Sequence, residues 1–210
     1  MTTRDVTLLL ALLAVVAQAC VLLAVVVGVG ARWSPRLGDA RDVLVDTVGP
    51  AALVLALGVA LVATLGSLYF SEVAHFVPCR LCWYQRIAMY PLVPILAVAV
   101  WRRDAGVRFY ALPVAVIGAL ISTYHVVLER FPSLESSVCE VANPCTLIWV
   151  ERFGYLTIPT MALSAFSFIV VLILTAAAWA RWDQVPDGDD VEEVGSTSDE
   201  PVLQNALEEA

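Results

Sequence analysis

The sequence predicts an all-α integral membrane protein that crosses the bilayer five times. Its apolar content is 60% with a mean hydropathy of +0.82, well above the roughly 45–50% of soluble domains. Five runs reach or approach the roughly 20 apolar residues that a helix needs to span hydrocarbon: residues 6–29, 50–70, 83–101, 109–128 and 155–180. Pro91, Pro94, Pro113 and Pro159 fall inside these runs. Spanning helices tolerate proline where neighbours satisfy the freed carbonyls.

The first run follows Arg4 and has the look of a secretory signal. It is much longer than the roughly 7–15 residues of a signal core and ends without a small-residue cleavage site, so it is expected to stay. Ala17-Gln18-Ala19-Cys20 is a poor lipoprotein site because of Gln18, and Cys20 reads as an inert thiol buried in a helix. Three regions are expected: 1–49, a first spanning helix and a cytoplasmic loop; 50–182, a domain of four spans; and 183–210, an acidic tail. The formal charge of −8 belongs to that tail, which holds ten acidic side chains and no basic one. Low hydrophobicity with high charge predicts a solvated, disordered segment rather than a docking site for a basic partner.

Orientation is read from arginine, since the chain has no lysine. Arg32, Arg36 and Arg41 follow the first run, Arg102, Arg103 and Arg108 lie between the third and fourth, and Arg181 follows the fifth. Basic residues favour cytoplasmic loops. The N-terminus is therefore expected outside and the tail inside, with residues 71–82 and 129–154 as the outward loops of a multi-pass membrane protein. Those loops carry Cys79, Cys82, Cys139 and Cys145, which places them where disulfides form and persist.

Cys79-Arg80-Leu81-Cys82 stands where a polar loop meets the third span. Two cysteines at this spacing can bring their Cα atoms within about 5–6 Å, so the pair can close and reopen without rebuilding the backbone. Arg86 lies one helical turn beyond Cys82, and a guanidinium there favours the Cys82 thiolate, the species that attacks disulfides. Cys139 and Cys145 are separated by a stretch containing Asn143-Pro144 that can turn back on itself, although connectivity does not follow from sequence. Ile148-Trp149-Val150 with Phe153 and Tyr155 is expected in the membrane interface, as amphipathic segments rich in Trp and Phe are.

The segments Gly66-Ser67-Leu68-Tyr69-Phe70-Ser71-Glu72, Phe76 through Ile87 and Met89-Tyr90-Pro91-Leu92 resemble the disulfide bond formation protein B (DsbB) family, especially its BdbC branch. Pro144-Cys145, Phe153-Gly154 and Thr157-Ile158-Pro159 extend the resemblance, which runs from about Pro50 to Arg181; many BdbC-type chains have Trp where this one has Arg152. The resemblance implies a four-helix transmembrane bundle, to which the first span is an addition with no family counterpart. It implies a protein dithiol:quinone oxidoreductase. An extracytoplasmic thioredoxin-fold dithiol oxidase of the DsbA/BdbD type is reoxidised by Cys139/Cys145, that pair by Cys79/Cys82, and Cys82 passes electrons to a membrane quinone, menaquinone or ubiquinone. Arg86 matches the family's arginine after the Cys-x-x-Cys, and His125 matches a histidine near the quinone. No nucleic-acid partner and no metal are expected; membrane lipid is.

Each assignment has a plainer counterpart. Arg86 can snorkel to headgroups, His125 can be a structural histidine bonded to a carbonyl, and Gln85 can bond either a quinone oxygen or a neighbouring helix. His75 reads as solvated, and Glu72 as a cap or a partner of Arg80 or Arg86. Four cysteines could instead form a zinc shell or two inert staples. A vitamin K epoxide reductase type of enzyme also couples two such pairs, but there the loop pair precedes the Cys-x-x-Cys, and here it follows.

Overall fold

The computed structural model describes residues 2–134, 139 and 143–182. The acidic tail lies outside the described residues. Six helices carry the fold: α1 (Thr3–Gly30), α2 (Pro35–Val48), α3 (Ala52–Leu68), α4 (Arg80–Arg102), α5 (Arg108–Arg130) and α6 (Ile158–Trp182). Among the described residues, five segments are long and apolar enough to cross a membrane, with α2 and α3 belonging to one of them, Pro35–Val73.

Helices α3, α4, α5 and α6 pack in a ring, each against the next and α6 back against α3. That is a four-helix bundle. Helix α1 lies outside the ring against α6 and α2, as an additional N-terminal helix. Lipid tails are as apolar as leucine, so helices in a bilayer associate through close packing, and small residues at the contacts let them approach. Ala52, Ala56 and Ala60 recur every fourth residue on α3, and Ala111, Ala115, Gly118 and Ser122 follow one face of α5; all the alanines among them are fully buried. Larger side chains of α4 and α6, Leu92, Leu96, Phe166 and Ile169, fill the space so created. Ser122 returns its hydroxyl to the Gly118 carbonyl at 2.8 Å, so this polar group enters the core satisfied.

Local chemistry sets the ends. Thr2 and Asp5 form a reciprocal capping box at the start of α1, Pro35 opens α2, and Cys79 caps α4 by accepting from the Cys82 amide at 3.3 Å. Helix α4 stops at Arg103, which adopts a left-handed conformation at φ 51°. Because the spanning helices alternate in direction, all seven arginines used to infer orientation gather at one end of the bundle, and the four loop cysteines at the other.

Three expectations need correction. Residues 30–49 are mostly the amphipathic helix α2 rather than a loop; its polar composition concealed it from a search for apolar runs. Residues 155–157 do not begin the last span, which starts at Ile158. Instead β1 (Glu151–Arg152) pairs antiparallel with β2 (Leu156–Thr157), turning through Phe153 and Gly154 at φ 53° and 75°. The aromatic stretch before the last span is thus partly a hairpin, as two successive left-handed residues favour. Finally, Glu72 accepts from Ser71 at 3.1 Å, while Arg86 bonds a carbonyl elsewhere, so Glu72 and Arg86 do not pair. His75 is exposed, as expected.

A Cβ added at Gly118 would overlap the ring of Phe166. Gly118→Val should therefore destabilise the bundle by the about 1–3 kcal/mol typical of overpacking, read as a lower thermal unfolding midpoint in detergent. Gly38→Ala, in α2 with no neighbour near the new methyl, should raise stability by about 0.5–1 kcal/mol.

Candidate active site

The four loop cysteines meet in one packed cluster. Cys79 and Cys145 are buried beside Leu81 and Leu128, with Cys82, Cys139 and Ile121 packed against them. Cys139 and Cys145 form a disulfide with Cα atoms 5.8 Å apart. Cys79 and Cys82 are unbonded, their sulfurs 2.8 Å apart.

His125 ties the two loops together. It projects from α5 and is 2% exposed. Its Nδ1 takes a hydrogen bond from the Gln85 amide nitrogen at 3.1 Å, which leaves Nε2 as the protonated nitrogen. Nε2 donates to the Cys145 carbonyl at 3.0 Å and faces the Cys79 sulfur at 3.7 Å. One imidazole thus touches both cysteine pairs. Asn143 adds a second tie, donating its side-chain amide to the Pro78 carbonyl at 3.1 Å. The sequence singled out His125 and Gln85 as candidates; it carried no signal that Gln85 would set the tautomer of His125.

The thiolate is best supported at Cys79, and not at Cys82 as the position of Arg86 suggested. Cys79 stands at the N-terminus of α4, where unpaired amides and the helix dipole favour a negative charge. The Cys82 thiol donates to its sulfur; this bond, with the hydrogen bond from the His125 ring, outweighs burial and lowers the Cys79 pKa to about 4. Arg86 is engaged otherwise. Its Nη2 donates to the Ser67 carbonyl at 3.0 Å, and its guanidinium carbon lies 5.2 Å from the centre of the Trp83 ring. The side chain is thereby held between the Ser67 carbonyl of α3 and the Trp83 ring. Tyr90 donates to the Ser67 hydroxyl at 3.4 Å. Ser67 and Tyr90 carried no signal in the sequence, because a lone hydroxyl in a spanning run has no pattern of its own.

Cys82, Gln85 and Arg86 also line a cavity of about 420 Å³ between α1, α3, α4 and α6. Most of its wall is apolar, and Phe76, Pro78 and Trp149 cover it at the cysteine end. Phe76 stacks on both Phe70 and Trp149, with ring centres 5.8 and 5.2 Å apart. An apolar pocket of this size with a few convergent polar groups is the usual form of a small-molecule site.

The sequence pattern of the family described as disulfide bond formation protein DsbB matches residues 50–143. Disulfide bond formation protein C of Bacillus subtilis (strain 168) is 48% identical over 116 residues, covering 55% of this chain and 84% of that protein. The chain belongs to the DsbB family. Other relatives carry similar names: probable disulfide formation protein C 1 of Bacillus anthracis is 47% identical over 57% of this chain and 87% of its own length. Probable disulfide formation protein C of Halalkalibacterium halodurans is 45% identical over 55% and 85%. No solved structure matches. As a member of the DsbB family, the chain is a multi-pass, disulfide-forming membrane protein with the character of a thiol oxidoreductase. The family match starts after α1 and α2 and takes in Cys79, Cys82, Gln85, Arg86, His125 and Cys139.

The depressed pKa of Cys79 has a definite pH signature. Alkylation of Cys79 in the reduced protein should stay fast as pH falls from about 8 to about 5 and decline only near 4, as expected for a thiolate stabilised in the fold. Since the folded value lies below the unfolded one of about 8.5, the stability that this thiolate contributes to the dithiol form is present above pH 8.5 and fades as pH falls toward 4. His125→Ala should move the alkylation midpoint upward.

Proposed function

We propose that this chain is a quinone-dependent protein dithiol oxidase that reoxidises an extracytoplasmic thioredoxin-fold dithiol oxidase. The observation that carries the reading is the single cluster of four cysteines around His125, adjoining an apolar cavity with Cys82 and Arg86 on its wall. The domain scheme has residues 50–182 as the redox unit, with the cysteine loops outside the cell and the seven-arginine end in the cytoplasm.

Electrons enter at Cys139/Cys145. A thiolate of the partner attacks this disulfide, a mixed disulfide forms at Cys139, and the second partner thiol releases it, leaving an oxidised partner and a Cys139/Cys145 dithiol. That dithiol then reduces the Cys79–Cys82 disulfide by the same exchange, with no net change in electrons. Direction follows the difference in potential between the pairs, roughly 30 mV for each 1.4 kcal/mol in a two-electron couple. His125 serves this transfer by holding the carbonyl of Cys145 and the sulfur of Cys79 on one nitrogen. A quinone held beside Cys82 and Arg86 would supply the oxidant for re-forming the Cys79–Cys82 disulfide, a change that releases two electrons and two protons from the dithiol.

The residues of the cavity suit such an acceptor. Its apolar walls exclude water, Cys82 is the member of the dithiol that lines it, and Arg86, oriented by Ser67, supplies a fixed positive charge where negative charge would build on an oxygen. The Gln85 side chain also lines the cavity, but its amide nitrogen is committed to His125, so its contribution is to orient the imidazole. Of menaquinone and ubiquinone, the BdbC-like character favours menaquinone.

A metal reading has one observation in its favour: ligand atoms of Cys79, Cys82 and His125 lie within 4.8 Å of one another. A four-cysteine site does not arise with Cys139 and Cys145 joined. Two thiolates on one tetrahedral zinc at 2.3 Å stand about 3.8 Å apart, whereas these sulfurs are 2.8 Å apart, so the geometry suits redox closure better. Stoichiometric zinc in the purified, reduced protein would favour the metal.

The deciding assay is reduction of a quinone by a reduced thioredoxin-fold partner. Cys145→Ser should trap a Cys139–partner mixed disulfide, and Cys79→Ser or Cys82→Ser should abolish quinone reduction while the loop pair is still reduced once. Multiple turnover without either pair would reject the relay. Arg86→Met should lower turnover by about two to three orders of magnitude, the scale of losing a donor aimed at developing charge, and Arg86→Lys should restore part of it. Impermeant thiol reagents on intact, reduced cells should label the loop cysteines and spare Cys20; labelling only after permeabilisation would reverse the orientation.

A further inference from the structure

We infer that α1 forms one wall of a channel for the isoprenoid tail of the quinone, so that a helix outside the family match selects long-tailed over tail-less acceptors. The inference rests on the quinone reading above and extends it to a part of the chain with no assigned role.

The cavity is not confined to the cysteine end. It follows α3 from Ser67 to Val54, a distance of roughly 20 Å at 1.5 Å per residue. Helices α1 and α3 both pack on α6, and they face each other across the gap. Near the cysteines they touch: Tyr69, the residue after α3, bonds Thr3 at 3.4 Å, and a Cβ at Gly66 would come within 2.9 Å of Leu10. Farther along they part, and the space is bounded by Ala14 and Ala17 of α1 and by Gly58 of α3, where an added Cβ would meet nothing within 4 Å. The polar groups Cys82 and Arg86 stand at one end, and hydrocarbon side chains line the rest. This is the polarity of a molecule with a redox head and a long apolar tail.

The wall is held in register by polar bonds to elements of the redox site. Arg152 of β1 donates to Thr7 at 2.7 Å and to the Arg4 carbonyl at 3.4 Å. Gln18 donates to Ser164 of α6 and accepts from Tyr155, both at 2.9 Å. Arg152 occupies the position where many BdbC-type chains have Trp, and here its side chain fastens α1. Such bonds are costly to leave unmade in an apolar setting, so they specify where α1 docks.

The test uses the full chain in detergent and measures equilibrium binding of two naphthoquinones, one with four isoprene units and one without a tail, by quenching of tryptophan fluorescence. Ala17→Phe should fill the channel from α1 and raise the Kd of the long-tailed compound about tenfold, the scale of losing burial of one or two methylene-sized groups, with the tail-less compound unchanged. Gly58→Leu should reproduce this from the opposite wall, and it decides the matter if Ala17→Phe dislodges α1. Equal weakening of both compounds by Gly58→Leu, or of neither, would overturn the inference. So would a channel that retains phospholipid and ignores tail length. A wild-type protein that binds neither compound would instead sink the quinone reading, and the inference with it.

Discussion

Because the bilayer core offers no water to unpaired amides, every backbone group that enters it must be satisfied within the chain, and this constraint dictates where chemistry can occur. The spanning segments are helices, and their ends are the places where backbone donors remain free. Cys79 occupies such an end. It completes the first turn of α4 with its own sulfur and receives in return the electrostatic stabilisation that a thiolate needs. The Cys79/Cys82 pair is therefore also a helix cap, and the interaction that closes the first turn is the one that favours negative charge on the Cys79 sulfur.

His125 is a polar group carried well into the bundle near that cap, and its burial is made tolerable by the use of both ring nitrogens. Gln85 supplies a donor to one nitrogen, and the carbonyl of Cys145 accepts from the other. A buried imidazole left unpaired would be expensive; satisfied on both sides it becomes a rigid bracket between two loops far apart in sequence. The cysteine pairs are thus held together by a side chain from a third element, α5, and the bracket in turn depends on the alanine and glycine contacts that seat α5 against its neighbours.

Helix α1 introduces a different principle. The bundle of α3 to α6 is a closed ring without it, yet α1 adds a wall to the cavity beside Cys82. Its surface is apolar nearly all round, and its lipid-facing leucines and valines are widely exposed, so generic apolar attraction does not distinguish its two faces in a membrane. Thr7 and Gln18, with Arg152, Ser164 and Tyr155 across from them, provide the discrimination.

Composition and run length alone determined that the chain is helical and membrane-spanning, because a segment of some twenty apolar residues in lipid has no alternative to a helix. The spacing of Cys79 and Cys82 suited a redox pair, and the DsbB-like motifs singled out Arg86, His125 and the loop cysteines as candidates. Tertiary structure decided the rest. Which thiol is favoured as thiolate depends on a helix start and on His125, 46 positions away from Cys79, and neither distance is encoded in a local pattern. The partner of Arg86 is a carbonyl, a group every residue possesses, so no side-chain motif could announce it. Helix α2 and the hairpin at Phe153-Gly154 were hidden because neither is strongly apolar and each is defined by what it packs or pairs against. The cavity was beyond the reach of sequence, since it is made by the separation of α1 and α3 on α6, a property of the space between helices and not of the residues in any one of them.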